Sequence, residues 1–338
     1  MSAALLFGIS TPLAKMLLGA VSPLLLAGLL YTGSGVGLAL VLAVRAAGGR
    51  GSIGWPRGNH VGWLLGATFF GGAIAPYLLM YGLRLTDSAT ASLALNLEGV
   101  FTALLAWFVF KENFDRRIAL GMALIVAGGA VLSLGPVMRS AGLLGPLMIA
   151  GACLAWAIDN NFTRNVSGSD AMLIACVKGL VAGPINVALA LSLGARLPGA
   201  AVALGAGALG FAGYGLSLTL FVIALRNLGT ARTGAYFSVA PFIGAALAVV
   251  LGAPLSASLA AAGCLMAAGV WLHFTENHGH LHHHSRLAHE HWHPHDAHHQ
   301  HEHGEEWLGE EPHSHFHVHE PMEHAHAHYP DTHHRHEH

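Results

Sequence analysis

The feature that most limits what this chain can fold into is a series of apolar runs, each nearly free of charge. A helix needs roughly 20 such residues to cross a ~30 Å hydrocarbon core. Ten runs can be drawn: 1–18, 22–46, 61–83, 87–110, 118–138, 142–163, 169–193, 200–225, 230–252 and 256–275. Residues 1–275 hold 14 Lys+Arg and 6 Asp+Glu, far below the roughly one charged residue in four of a soluble domain. Gly and Ala are abundant within the runs, and small residues let membrane helices pack closely. The breaks carry turn chemistry, as in "AAGGRGSIGWPRGN", "KENFDRR" and "GARLPG". The predicted class is an all-α membrane protein of about ten transmembrane helices, partnered by the lipid bilayer.

The N-terminus "MSAALLFGISTPLAK" has no basic segment ahead of its apolar run, so it reads as a short first span and not a removable signal peptide. Cys153, Cys176 and Cys264 all fall inside apolar runs and suggest neither a disulfide framework nor a Cys-based zinc site. Alternate loops differ in basic content. One set holds Arg45, Arg50, Arg57, Lys111, Arg116, Arg117, Arg164, Arg226 and Arg232; the other holds Arg84, Arg139 and Arg196. The richer set is expected in the cytoplasm, which with an even number of spans places both termini there, in a bacterial-type inner (cell) membrane. Lys15 is expected to mark the cytoplasmic end of the first span.

The chain also repeats itself. Residues 82–121 lie without gaps on 224–263, so that Leu83/Leu225, Arg84/Arg226, Ala103/Ala245 and Gly121/Gly263 coincide at a spacing of 142. The starts of the halves correspond as well: "LLFGISTPLAK" (5–15) against "LAWAIDNNFTR" (154–164) sets Lys15 opposite Arg164. Each half has an odd number of spans, so the second is predicted to sit inverted relative to the first. Inverted repeats of this kind mark secondary transporters, with substrate near the midplane between them. The expected organisation is a five-helix repeat over 1–138, a second over 142–275, and a disordered tail over 276–338.

At this point the chain resembles the EamA-type ten-helix proteins of the drug/metabolite transporter superfamily. The carriers are "NLEGVFTALLAWFVFKENF" (96–114) followed by "GMALIVAGGAVL" (121–132). Glu98 and Glu112 match acids typical of that family, while Gly99 stands where a proline is usual; the second half keeps Pro241 but has Ala240 and Pro254 in place of both acids. The resemblance implies transport of small organic solutes, often by proton exchange, with the first and sixth spans lining the cavity.

Glu98 is the sharpest candidate. It lies near the middle of the fourth span, where a carboxylate is costly unless it faces a cavity or a partner, and a carboxyl placed there suits proton coupling. Its bland alternative is a structural hydrogen bond within the bundle. Asp159 and Asn160, with Asn161, form a polar cluster that either contacts substrate or lines a helix end, with Asp159 paired to Arg164. Lys178 could be a counter-ion for Glu98, an anion-binding group, or a side chain that snorkels to the interface. Asn96, Tyr77, Tyr81 and Trp156 fit cavity walls or ordinary packing. No catalytic arrangement stands out, so no enzyme activity is expected.

The tail is a different polymer. Of 26 histidines, 24 fall within 276–338, where 12 Asp+Glu face 2 Lys+Arg. Such a chain has too little apolar surface to fold alone. His289, His291, His293, His295, His298, His299, His301 and His303, with His313, His315, His317 and His319, form dense H-x-H tracts with interleaved acids. Neutral imidazole is the commonest side-chain ligand for Zn, Ni, Co and Cu, so several interchangeable divalent-metal sites are expected, with no cofactor otherwise required. Protonation of the imidazoles could also make the tail a pH sensor. Its acidity argues against nucleic acid as a partner.

Three functions follow. The first is a secondary active transporter of small organic solutes, coupled to protons through Glu98, with a metal-binding regulatory or buffering tail. The second is a divalent-metal transporter whose tail collects the ion. The third is a membrane-anchored metal buffer or sensor. A homodimer is compatible with each.

Overall fold

The computed structural model describes residues 1–48, 60–109, 116–134 and 143–274, and in the tail 279–284, 287–293, 313–319 and 322–327. The chain divides into a body, Met1–Glu276 with Pro330–His338, and a second unit, Asn277–Tyr329.

The described body is helical. Its elements are α1 (Ser2–Leu17), α2 (Pro23–Ala47), α3 (His60–Ala67), a π-helical segment (Thr68–Ile74), α4 (Ala75–Leu85), α5 (Ser88–Ala94), α6 (Leu97–Phe108) and α7 (Arg116–Leu134). The second half has α8 (Leu144–Val166), α9 (Ala171–Ser192), α10 (Ala200–Gly210), a second π segment (Phe211–Leu216), α11 (Ser217–Phe237), α12 (Ala240–Val250) and α13 (Ala257–Phe274). Among the described residues, five stretches are long and apolar enough to cross a membrane: Pro23–Ala47, His60–Leu85, Ser88–Leu105, Ala171–Ser192 and Ala200–Arg226. Shorter apolar helices fill most remaining predicted spans. At 23 residues α8 has the length, but Asp159, Asn160, Asn161 and Arg164 lower its hydropathy.

The two halves are related by inversion. Packed pairs come in exchanged sets: α4 lies on α8 as α11 lies on α1, and α6 lies on α8 as α12 lies on α1. The pairs α2–α9 and α7–α13 join corresponding helices. Arg45, near the end of α2, reaches the carboxylate of Asp170, which precedes α9, at 2.8 Å, so these two run in opposite directions. Their close crossing needs glycine: a methyl group on Gly35 would strike the backbone of Gly179 and Leu180, and one on Gly183 would strike Thr32. The π segments obey the same relation. Shifted by the 142 positions that align Arg84 with Arg226, Thr68–Ile74 becomes 210–216, and the second segment is Phe211–Leu216.

Two details differ from the sequence reading. The run 87–110 is not one helix but breaks at Leu95–Asn96, and a matching break at Ser238–Val239 precedes α12. Conversely, α11 continues through the turn expected between 225 and 230. In the first half the equivalent turn is stabilised by Asp87, whose carboxylate caps α5 by accepting from the Thr90 amide at 2.9 Å. Gly229 stands at the aligned position and has no side chain with which to cap.

Lys15 lies at the same end of the bundle as Arg84, not the opposite one. Its ammonium donates to the carbonyls of Leu83 (2.5 Å), Arg84 (3.3 Å) and Thr86 (2.8 Å), closing the C-terminus of α4. Arg226 makes the related contact in the second half, donating to the carbonyls of Ser167 and Ser169 beyond α8.

The described segments of the tail form short paired strands. The strands β1 (Gly279–His284) and β4 (Met322–Ala327) pair antiparallel, as do β2 (Leu287–His293) and β3 (His313–His319). The H-x-H alternation has the two-residue period of a strand. In register, His289 faces His317, His291 faces His315 and His293 faces His313. In the other ribbon His280 faces His326 and His282 faces His324.

Candidate functional site

The break in the fourth span positions Glu98. The turn is closed by the Leu95 amide donating to Ser92 (3.2 Å) and the Asn96 amide to Leu93 (3.1 Å), and α6 then restarts at Leu97. Glu98 therefore occupies the first turn of a helix whose N-terminal dipole favours a carboxylate, midway along Ser88–Phe108. Its Oε1 accepts from the Asn160 side-chain amide of α8 at 2.7 Å. Asn161, next along, ties the same two helices by donating to the Thr102 carbonyl at 3.5 Å.

One turn away, α8 carries a buried ion pair. The Lys178 ammonium donates to Asp159 Oδ1 at 2.5 Å and to the Thr163 hydroxyl at 2.8 Å. Thr163 in turn donates to Asp159 at 2.8 Å. Lys178 is 1% exposed and Asp159 5%. The sequence reading offered Glu98 as the counter-ion of Lys178 and Arg164 as that of Asp159; the fold instead pairs Asp159 with Lys178. The four-carbon stem of Lys178 is buried along with its ammonium, so this lysine does not snorkel.

The first π segment shapes the wall beside them. A π turn widens the helix and releases carbonyls from the i→i−4 ladder. The Gly71 carbonyl accepts from the Tyr31 hydroxyl (2.6 Å) and from Trp156 Nε1 (3.1 Å), and the Gly72 carbonyl accepts from Asn186 (3.1 Å). A side chain at Gly71 would fall on the Asp159 carboxylate, so the approach of the segment to α8 requires glycine there. The second π segment supplies Gly213 and Tyr214 to the opposite wall.

These elements line a small, partly open cavity between the two halves. Phe7, Tyr31 and Glu98 come from the first half; Trp156, Asp159, Asn160, Tyr214, Ser217, Phe221 and Phe237 are among those from the second. The rings form a connected set. Phe7 packs on Trp156 (5.7 Å), Tyr214 (5.9 Å) and Phe237 (5.3 Å) between centroids, Tyr31 on Tyr214 (5.4 Å) and Phe221 on Phe237 (4.8 Å).

Of the residues singled out in the sequence, Glu98, Asp159, Asn160 and Trp156 meet at this cavity. Lys178 stands behind Asp159 and does not border it. Asn96 is 4% exposed at the helix break, donating to the Leu93 carbonyl (3.1 Å) and facing Met266 Sδ (3.8 Å). Tyr77 and Tyr81 pair with each other at 6.1 Å and line no part of the cavity, because Tyr77 points outward from α4. Sequence reasoning passed over Phe7, Tyr31, Tyr214, Phe221 and Phe237, which look like ordinary apolar-run residues. One signal was present: the alignment of 5–15 with 154–164 sets Phe7 opposite Trp156. Glu112 lies outside the described residues, as do His295, His298, His299, His301 and His303. The remaining seven named tail histidines occupy β2 and β3.

Comparison with known proteins agrees with this architecture. Residues 1–134 match the EamA-like transporter family. An uncharacterized transporter of Methanothermobacter thermautotrophicus is 28% identical over 288 residues, covering 80% of this chain and 83% of that protein. A probable 4-amino-4-deoxy-L-arabinose-phosphoundecaprenol flippase subunit, ArnE, of Pseudomonas fluorescens is 40% identical over 73 residues, covering 21% of this chain and 62% of its own. A solved crystal structure shares the fold, with a TM-score of 0.59 at 23% identity over 80% of this chain and 94% of its own. Residues 1–134 are thus similar to the EamA-like transporter family, within a multi-pass helical membrane protein.

Proposed function

We propose that this chain is a secondary active transporter of small organic solutes that binds its solute in the cavity between the halves and couples movement to protons through Glu98. The observation that carries the reading is the meeting, at one cavity, of both π segments or their bonded partners, the broken fourth span and an acid whose side-chain partner among the described residues is a neutral amide. Broken helices and inverted repeats are how transporters build a midplane site. The excess of basic residues in one set of loops supports an inner-membrane orientation with cytoplasmic termini.

The tail is read as a divalent-metal regulator or buffer on the same side. What supports this is the register of β2 and β3, which sets histidine opposite histidine at three successive same-face positions. An organic solute is favoured over the ion itself as cargo, because one of the two cavity carboxylates is already engaged by Lys178 and the rest of the wall is largely aromatic.

Transport in proteoliposomes tests the proposal, comparing the full chain, a chain ending at residue 276 and Glu98→Gln. Organic-solute flux driven by a pH gradient, lost in Glu98→Gln and kept without the tail, is expected. Metal flux that survives tail removal and dies with Glu98→Gln would overturn it. For the tail, calorimetric titration with Zn and Ni is expected to show several bound ions on the full chain and none after truncation; equal binding by both chains would remove the regulatory reading.

A further inference from the structure

We infer that Lys15 is the latch of a two-position gate: it holds one end of the bundle shut here, and Arg164 takes the same part at the opposite end when the halves exchange conformations. The inference deepens, and rests on, the reading of the chain as a transporter. At the Lys15 end the chain breaks between α4 and α5, and the break is fastened from both sides. Lys15 donates to the carbonyls of Leu83 (2.5 Å), Arg84 (3.3 Å) and Thr86 (2.8 Å), at and just past the end of α4. Asp87 accepts from the Thr90 amide in the first turn of α5. The start of α8 closes on the same turn, for a methyl group on Gly145 would strike the Thr86 hydroxyl.

The equivalent place in the second half is in the other condition. The repeat sets Arg164 opposite Lys15, and Leu225, Arg226 and Leu228 opposite Leu83, Arg84 and Thr86. There α11 runs unbroken from Ser217 to Phe237, so those carbonyls lie within its hydrogen-bond ladder and offer Arg164 no helix end to close on. Leu83 is fully buried, whereas Leu225 is partly exposed. One half is thus broken and fastened where the other is continuous and looser. Two features suit the fastened turn to release. Pro12 lies within α1, between the cavity residue Phe7 and Lys15, and supplies no amide to the Gly8 carbonyl, so the end of α1 can bend there. The Thr86 hydroxyl is buried in the closed turn with no hydrogen-bond partner among the described residues, a cost that opening would relieve. Because α1 packs on both α11 and α12, its release would be felt by the second half, where Gly229 permits a turn. Arg164 would then close on the carbonyls of Leu225, Arg226 and Leu228.

Amide hydrogen exchange on the purified full chain, with flux measured in parallel, tests the latch. In Lys15→Met the amides of 83–90 should exchange at least about tenfold faster. Those of 225–232, at the far end and beyond the reach of a local cap, should speed up with them. Lys15→Arg, which still donates to the carbonyls, should exchange like the parent chain in both segments. Amides of α2 and α9 should keep their parent rates in Lys15→Met, showing that the bundle stays folded. Faster exchange confined to 83–90 would reduce Lys15 to a helix cap and overturn the inference. Equal acceleration throughout α2 and α9, or no change in either segment, would overturn it as well. The reciprocal change without flux of any solute would leave the latch standing and sink the transport reading; flux with no reciprocal change would do the reverse.

Discussion

The contact of α6 with α8 and the contact of α12 with α1 occupy equivalent places in the inverted repeat, yet they are chemically opposite. Between α6 and α8 stand Glu98, Thr102, Asn160 and Asn161, joined by hydrogen bonds from the two asparagine side chains, with Glu98 and Asn160 bordering the cavity. The aligned residues on the other side are Ala240, Gly244, Thr11 and Pro12. There the helices approach so closely that a methyl group on Gly8 would strike the Ala240 carbonyl, and one on Gly244 would lie 2.8 Å from the Gly8 carbonyl. The ion pair is equally one-sided, because Ser10 and Ala14 align with Asp159 and Thr163. Duplication has kept the backbone path, including the helix breaks and π turns, while only one copy of each contact kept polar side chains. The apolar copy is a dry packing surface; the polar copy can hold a ligand or a proton.

This contrast is open to mutation. The largest effect is expected from the ion pair: Lys178→Met leaves Asp159 buried without its partner and should cost about 3–5 kcal/mol, read as a lower unfolding midpoint in detergent. The double variant Asp159→Asn/Lys178→Met should recover most of that loss; no recovery would mean that the lost ammonium hydrogen bond to Thr163, and not the stranded charge, is what weakens the contact of α8 with α9. Next comes the dry contact. Gly8→Val should destabilise by roughly 1–3 kcal/mol through overpacking, and an unchanged midpoint would show that α1 and α12 are looser than their approach indicates. At the polar contact, Asn160→Ala removes one hydrogen bond from Glu98. It should cost about 1 kcal/mol while changing solute affinity severalfold in binding assays, so that function moves more than stability. The smallest effect is expected at Gly99, where an added methyl has only the Ser238 hydroxyl near it, at 3.8 Å. Gly99→Ala should stabilise by up to about 0.5–1 kcal/mol; a marked loss of stability would show that the first turn of α6 needs glycine.

Much of the architecture was legible because it depends on one-dimensional patterns. Apolar length reports a membrane span, odd repeat length reports inversion, and the spacing of 142 between Arg84 and Arg226 also relates the two π segments that the structure shows. Glu98, Asp159, Asn160 and Trp156, which line the cavity, were also singled out in advance, since a polar or bulky residue in an apolar run is conspicuous. The pairing of those residues was not. Lys178 could have met either acid, and nothing in the order of the chain distinguishes Asp159, nineteen positions earlier, from Glu98. Tyr31, Tyr214 and Phe237 were hidden for the converse reason: an aromatic side chain in an apolar run has the same appearance whether it faces lipid, core or cavity.

Composition and periodicity thus sufficed for a ten-span inverted bundle with a histidine-rich tail, because burying apolar surface in a bilayer constrains every run independently of its neighbours. Which acid pairs with Lys178, which rings surround the other and which of two equivalent contacts stays dry depend on distances between residues far apart in the chain. Those distances exist only once α2 has crossed α9, the π turn at Gly71 has met Asp159, and Lys178 has been committed to one partner.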